Sequence, residues 1–163
     1  MVLEIDEIAE DIAAVYRQQP ELEGVTFLGG EPFSQAAALS LLGERVKAIG
    51  LSVVTFTGYE YEKIIASGNT GWHRLLEVTD LLIDGPYLQH RHDLSRPWIG
   101  SANQQYRFLS EVYKPLQDKI AAIPNKLEIR LYPDGTLRVN GMAQALNIDM
   151  LHQLGYVRKE ESG

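Results

Sequence analysis

Gly29-Gly30-Glu31-Pro32, Thr57-Gly58-Tyr59 and Asp84-Gly85-Pro86 are the residue groups whose types suit ligand chemistry. Two successive glycines leave bare backbone where a ligand can approach, and carbonyls there suit a cationic ammonium. The Glu31 carboxylate adds an opposite charge, and Pro32 fixes the turn. Thr57 offers a hydroxyl and Asp84 a second carboxylate. Each group also has an ordinary reading. Gly29 to Pro32 makes a strand-to-helix turn with an exposed Glu, Thr57 caps a strand, and Asp84 closes an Asx turn. His90-Arg91-His92-Asp93 holds metal-ligand residue types, but the run reads as an exposed polar loop. His73 and His152 stand singly in helical patterns, as surface or cap residues. No cysteine occurs in the chain. Disulfides, cysteine-based metal sites and a thiol nucleophile are therefore excluded within it.

The elements that must position these groups follow from periodicity. Leu3, Ile5, Ile8, Ile12, Val15 and Tyr16 recur at helical spacing, predicting an amphipathic helix that ends before Pro20. Residues 24–28 form a compact strand stopped by Gly29-Gly30. Ser34 is the expected N-cap of a second helix, lined by Leu39, Leu41, Leu42, Val46 and Ile49 and closed by Gly50. Residues 51–57 read as a strand, 59–66 as a short helix, 72–78 as another, and 81–83 as a buried strand. The polar segment 87–104 is too long for a plain connector and is a functional-loop candidate. Residues 106–109 read as a strand. Segments 126–132 and 136–140 alternate around Pro133-Asp134-Gly135, a hairpin pattern. Residues 148–154 read as a final helix. Alternation of helix and strand predicts parallel strands joined by crossovers. Ligands in such sheets sit at the carboxyl ends of strands, where all three groups fall.

The 163 residues suffice for one well-packed domain. The formal net charge of −7 and the lack of a Lys/Arg cluster argue against a nucleic-acid partner. No apolar stretch approaches the length of a membrane span, and the acidic N-terminus lacks signal-peptide order. The expected compartment is the cytoplasm, and the expected partner a protein or small ligand.

Gly24 to Phe33 (Gly-Val-Thr-Phe-Leu-Gly-Gly-Glu-Pro-Phe) resembles the corresponding segment of the radical S-adenosylmethionine activating enzymes. The nearest branch holds the activators of anaerobic ribonucleoside-triphosphate reductase and of pyruvate formate-lyase. Thr55 to Tyr59, Asp80 to Tyr87 and Trp98 to Gln105 agree with that family in order and spacing. The hairpin around Pro133-Asp134-Gly135 and Asn140-Gly141 is similar to the C-terminal part of its small members. The resemblance covers most of residues 24–141.

What it implies is a single domain over 1–163: a partial radical-SAM (β/α) barrel over 1–110, then a helix, hairpin and helix over 111–163. The sheet is expected to be open and mostly parallel, with flanking helices. The implied ligand is S-adenosylmethionine, whose methionyl amino group the family's Gly-Gly-Glu segment holds. Gly29, Gly30 and Glu31 take that role here by resemblance, and Thr57 and Asp84 supply ribose, methionyl or cation contacts. The implied partner is a glycyl radical enzyme such as anaerobic ribonucleotide reductase, the branch favoured by Gly100 to Gln104.

The departure from the family is severe. Its 4Fe–4S cluster sits on a Cys-x-x-x-Cys-x-x-Cys loop after the first barrel strand, ahead of the helix leading into Gly-Gly-Glu-Pro. First strand and cluster loop are expected to be absent here, leaving no cluster ligands and no catalytic residue in the chain. Pro86 stands where some activators place a Lys, for which His90, Arg91 or Arg107 are candidate substitutes. A truncated activating-enzyme domain, inactive alone, is the leading expectation. The alternatives are a non-catalytic module that keeps ligand or partner binding, and an unrelated α/β protein. Residues 24–28 are expected at an open sheet edge, able to aggregate or to pair with a second copy unless a helix covers it.

Overall fold

The computed structural model describes residues 4–123, 128–131 and 137–140. Its centre is a four-stranded sheet in the order β1 (Gly24–Phe27), β2 (Ser52–Phe56), β3 (Leu81–Asp84), β4 (Gln105–Phe108). β1, β2 and β3 run parallel, with Phe27 opposite Thr55 and Phe56 opposite Ile83. β4 is antiparallel to β3, pairing Asp84 with Gln105. Uniform helix–strand alternation would make it parallel, but no crossover helix lies between β3 and β4. A strand returning through a loop pairs antiparallel.

Among the described residues four α-helices accompany the sheet: α1 (Ile5–Gln18), α2 (Ala36–Ala48), α3 (Tyr61–Ala66) and α4 (Thr70–Val78). Side chains alternate across the pleat, so each strand feeds two faces. Phe27, Val53 and Leu82 meet Ile64, Leu75, Val78, Leu42 and Val46 on the helical face, where Ile5, Ile8 and Ile12 of α1 also pack. Val54, Leu81 and Ile83 point the other way, to Ile99 and Ile120. Strands covered on both faces read as continuous apolar runs, and β3 is buried throughout. The outer strands are less covered: Thr26 of β1 and Gln105 of β4 are exposed.

Local signals set the helix ends. Asn69 caps α4, accepting from the Gly71 and Trp72 amides at 2.9 and 3.2 Å. Ser34 does not cap α2. Glu31 instead caps a 3-10 turn, Pro32–Gln35, and α2 follows it with no side-chain cap. The inward face of α2 also differs from expectation, since Leu41 and Ile49 are exposed while Ser40 and Gly43 are buried. Small residues let α2 and α4 approach closely. A Cβ built on Gly43 would lie 2.6 Å from Val78 Cγ2.

The helical stretch expected after 110 takes the form of two 3-10 turns, Lys114–Leu116 and Ile120–Ala122. The hairpin is present, as β5 (Glu128–Leu131) paired antiparallel with β6 (Leu137–Asn140). The helix expected over 148–154 lies outside the described residues.

Candidate functional site

The carboxyl ends of β1, β2 and β3 lie side by side, so the turns that follow them are neighbours. Gly29 and Gly30 follow β1 at φ 87° and 57°. This left-handed region is strained for other residues, which accounts for the glycine pair. Nothing lies within 4 Å of a Cβ built on either residue, so the turn is open to its surroundings.

Glu31 turns back across the strand ends. Its Oε1 accepts from the Phe33 amide at 3.0 Å and from the Thr57 hydroxyl at 2.8 Å, while Oε2 accepts from the Gly58 amide at 2.9 Å. The Thr57 hydroxyl also accepts from the Tyr59 amide at 3.1 Å. A carboxylate offers about four lone-pair positions. Three are taken here, which leaves room on Oε2 for one further donor. The chemistry that fits is a cationic or hydroxyl donor approaching over the open Gly29-Gly30 turn.

An aromatic row supports both turns. Trp72 meets Phe33 edge to face at a centroid distance of 5.7 Å and Tyr59 at 4.8 Å. Phe33 comes from the β1 turn, Tyr59 from the β2 turn and Trp72 from α4. Their sequence separation gives no local signal of the contact.

Asp84 is placed differently. Its carboxylate is buried, accepts from Arg107 Nε and from the Tyr61 amide at 2.9 Å each, and so joins β3 to β4 and to the start of α3. Arg107 also pairs with Glu62 at 2.9 Å and lies 5.0 Å from the Tyr61 ring centroid. Its hydrogen bond to Asp84 comes first among the causes that hold the guanidinium above its usual value. Arg107 is thus committed to Asp84 and Glu62, whereas His90 and Arg91 are exposed on their loop. The structure brings Gly29, Gly30, Glu31 and Thr57 together, and sets Asp84 beneath α3.

The long loop after β3 is a built unit. Gln104 Oε1 accepts from the Gly100 and Ser101 amides, and its Nε2 donates to the Gly85 carbonyl at 3.2 Å. Asn103 Nδ2 donates to the Pro86 carbonyl at 2.7 Å, while its Oδ1 is buried without a protein partner. Gly85, at φ 106°, allows this turn to sit on the strand end. His92 Nδ1 is bonded to the Tyr87 hydroxyl at 3.1 Å. Among the described residues no three His, Cys, Asp or Glu side chains gather into a metal site.

These features define an open α/β domain whose loops collect at the carboxyl ends of parallel strands. Residues 3–107 match the family model of the 4Fe-4S single cluster domain, and the chain belongs to that family. It is 33% identical over 86 residues to an anaerobic ribonucleoside-triphosphate reductase-activating protein of Haemophilus influenzae, covering 50% of this chain and 53% of the relative. It is 36% identical over 91 residues to the protein of that name in Pasteurella multocida, covering 53% and 56%. The chain spans about half the length of the curated relatives it matches. No solved structure matches it. Iron–sulfur clusters are held by cysteine thiolates. With no cysteine in the 163 residues, the side chains present do not fit the cluster for which the family is described. No described helix is long and apolar enough to cross a membrane.

Proposed function

We propose that this chain is the ligand-holding portion of a radical S-adenosylmethionine activating protein, with anaerobic ribonucleotide reductase as its glycyl radical partner, acting in the cytoplasm. Glu31 carries the reading: it is braced by three donors, keeps one acceptor position, and lies beside two open glycines. Its spare position takes the ligand ammonium, with the Gly29 and Gly30 backbone beside it. Thr57 holds the carboxylate in place, and Asp84 supports the same face from below through Arg107 and α3. The four strands are read as part of a (β/α) barrel. Radical generation needs a cluster, for which these residues have no ligands, so the chain alone is inactive in that chemistry. The alternative is a module that binds S-adenosylmethionine or a partner without chemistry.

Calorimetric titration with S-adenosylmethionine tests the ligand reading. Weak saturable binding is expected, and Glu31→Gln should abolish it while circular dichroism shows the fold retained. No binding by the unaltered chain at millimolar ligand would overturn the reading. Anaerobic reconstitution with iron and sulfide should give no stoichiometric 4Fe–4S absorbance. A stoichiometric cluster would overturn the statement that the chain alone is inactive.

A homodimer through β1 is part of the same proposal. β1 is the first strand in the sheet order, residues 24–30 carry no charge, and Thr26 is exposed. Uncharged edges without Pro are open to pairing. Light scattering should show a dimer that Thr26→Lys converts to monomer. A monomeric unaltered chain would remove this assembly.

A further inference from the structure

Trp98 is the one non-glycine residue with positive φ among the described residues, at 62°. It stands between two buried residues, Pro97 and Ile99, yet is itself 47% exposed. A bulky residue in this region is strained, and the strain persists only where surrounding contacts over-determine the backbone. Those contacts are present. Ile99 is fully buried against the second face of the sheet. The Tyr106 hydroxyl donates to the Pro97 carbonyl. Arg96 donates to the Ala102 and Gln104 carbonyls at 3.2 and 3.3 Å. The Asp93 amide donates to the Gly100 carbonyl and the Ala102 amide to the Arg91 carbonyl, so the two arms of the loop are paired. The loop backbone is therefore firmly held against the sheet, with Trp98 displayed to solvent.

The same loop displays further exposed groups. Tyr87, on the facing arm, is 56% exposed. His90 and Arg91 are exposed on a 3-10 turn of that arm, Gln89–Arg91. Asp93 is the one acid in residues 87–104, and its carboxylate is occupied by the Ser95 amide. With Arg91 and Arg96 against Asp93, the loop thus carries a formal charge of +1 on a chain of net charge −7. An acidic segment is repelled by the chain as a whole and attracted here, which gives docking a fixed place. Exposed Trp, Tyr and Arg are the residue types that anchor protein interfaces.

We infer that the 87–104 loop is a docking knob for an acidic segment of the partner polypeptide, with Trp98 as its anchor and Arg91 as its charge contact. This rests on the proposed reductase partner. The test measures binding of the full chain to purified anaerobic ribonucleoside-triphosphate reductase by biolayer interferometry, together with thermal denaturation. Trp98→Gly takes φ 62° without strain, so its melting temperature should hold or rise while binding weakens about tenfold or more. Arg91→Glu should also weaken binding, and added salt should weaken the unaltered complex. A folded Trp98→Gly that binds as well as the unaltered chain overturns the knob and leaves the partner standing. Binding indifferent to both Arg91→Glu and salt overturns the acidic occupant. No binding by the unaltered chain overturns the partner reading and the knob with it.

Discussion

Glu31 Oε1 accepts the Thr57 hydroxyl at 2.8 Å, tying the turn after β1 to the turn after β2 across 26 positions of sequence. The carboxylate that suits a ligand ammonium is therefore also a structural clasp. Removing it should separate into two effects.

Glu31→Gln keeps the shape but replaces one acceptor oxygen with a donor facing backbone amides. Loss of a charge-assisted hydrogen bond of this kind costs about 1–3 kcal/mol. Urea denaturation should show that loss, and Thr57→Val should show a smaller one because Phe33 and Gly58 still donate.

Gly29→Ala and Gly30→Ala meet no neighbouring atom, so any cost comes from φ alone. The left-handed backbone should make each substitution destabilising by about 1–2 kcal/mol. Gly43→Ala fails for a different reason, since its Cβ would lie 2.6 Å from Val78 Cγ2. Overpacking between α2 and α4 should cost about 1–3 kcal/mol in denaturation experiments. Gly43→Ala combined with Val78→Ala should recover part of that loss.

Asp80 precedes β3 with its side chain fully buried, accepting from Lys47 Nζ at 2.5 Å, Ser110 Oγ at 2.6 Å and the Val53 amide at 2.9 Å. Burial pushes its carboxyl up, but the Lys47, Ser110 and Val53 hydrogen bonds together outweigh burial and hold it below the usual 3.8. A depressed folded value contributes stability that is present above 3.8 and lost as pH falls through the folded value. Urea midpoints should therefore fall steeply in that acid range. Asp80→Asn should flatten the fall and lower neutral-pH stability by about 3 kcal/mol, because Lys47 loses its partner.

Tyr106 titrates at the other end of the pH scale. Burial pushes its phenol up to about 12, with Asp93 adding to the rise and Arg96 opposing it. The folded value lies above the usual 10.0, so this contribution to stability is intact below 10.0 and lost as pH rises through about 12. Ultraviolet titration should show a late-titrating phenol whose signal Tyr106→Phe removes.

Much of the fold is legible in local pattern. The apolar run of β3, the β-branched run of β2 and the amphipathic repeat of α1 each announce an element of the right kind and place. Gly29-Gly30-Glu31-Pro32 announces a turn, and φ values of 87° and 57° explain why its glycines are needed. Ser34 misled because the nearer carboxylate of Glu31 takes the amide of Phe33 and starts a 3-10 turn first. The antiparallel direction of β4 was hidden because periodicity marks a strand and says nothing of its direction.

The residues read in order show that three short turns follow three strands, that the chain holds no thiolate ligands, and which family the strand-end motifs resemble. These depend on residue type and near-neighbour spacing. Tertiary structure alone decided that Glu31 clasps Thr57, that Asp84 is spent on Arg107, and that Trp98 is forced outward. Each of those outcomes depends on which side chain reaches which partner once the strands lie side by side.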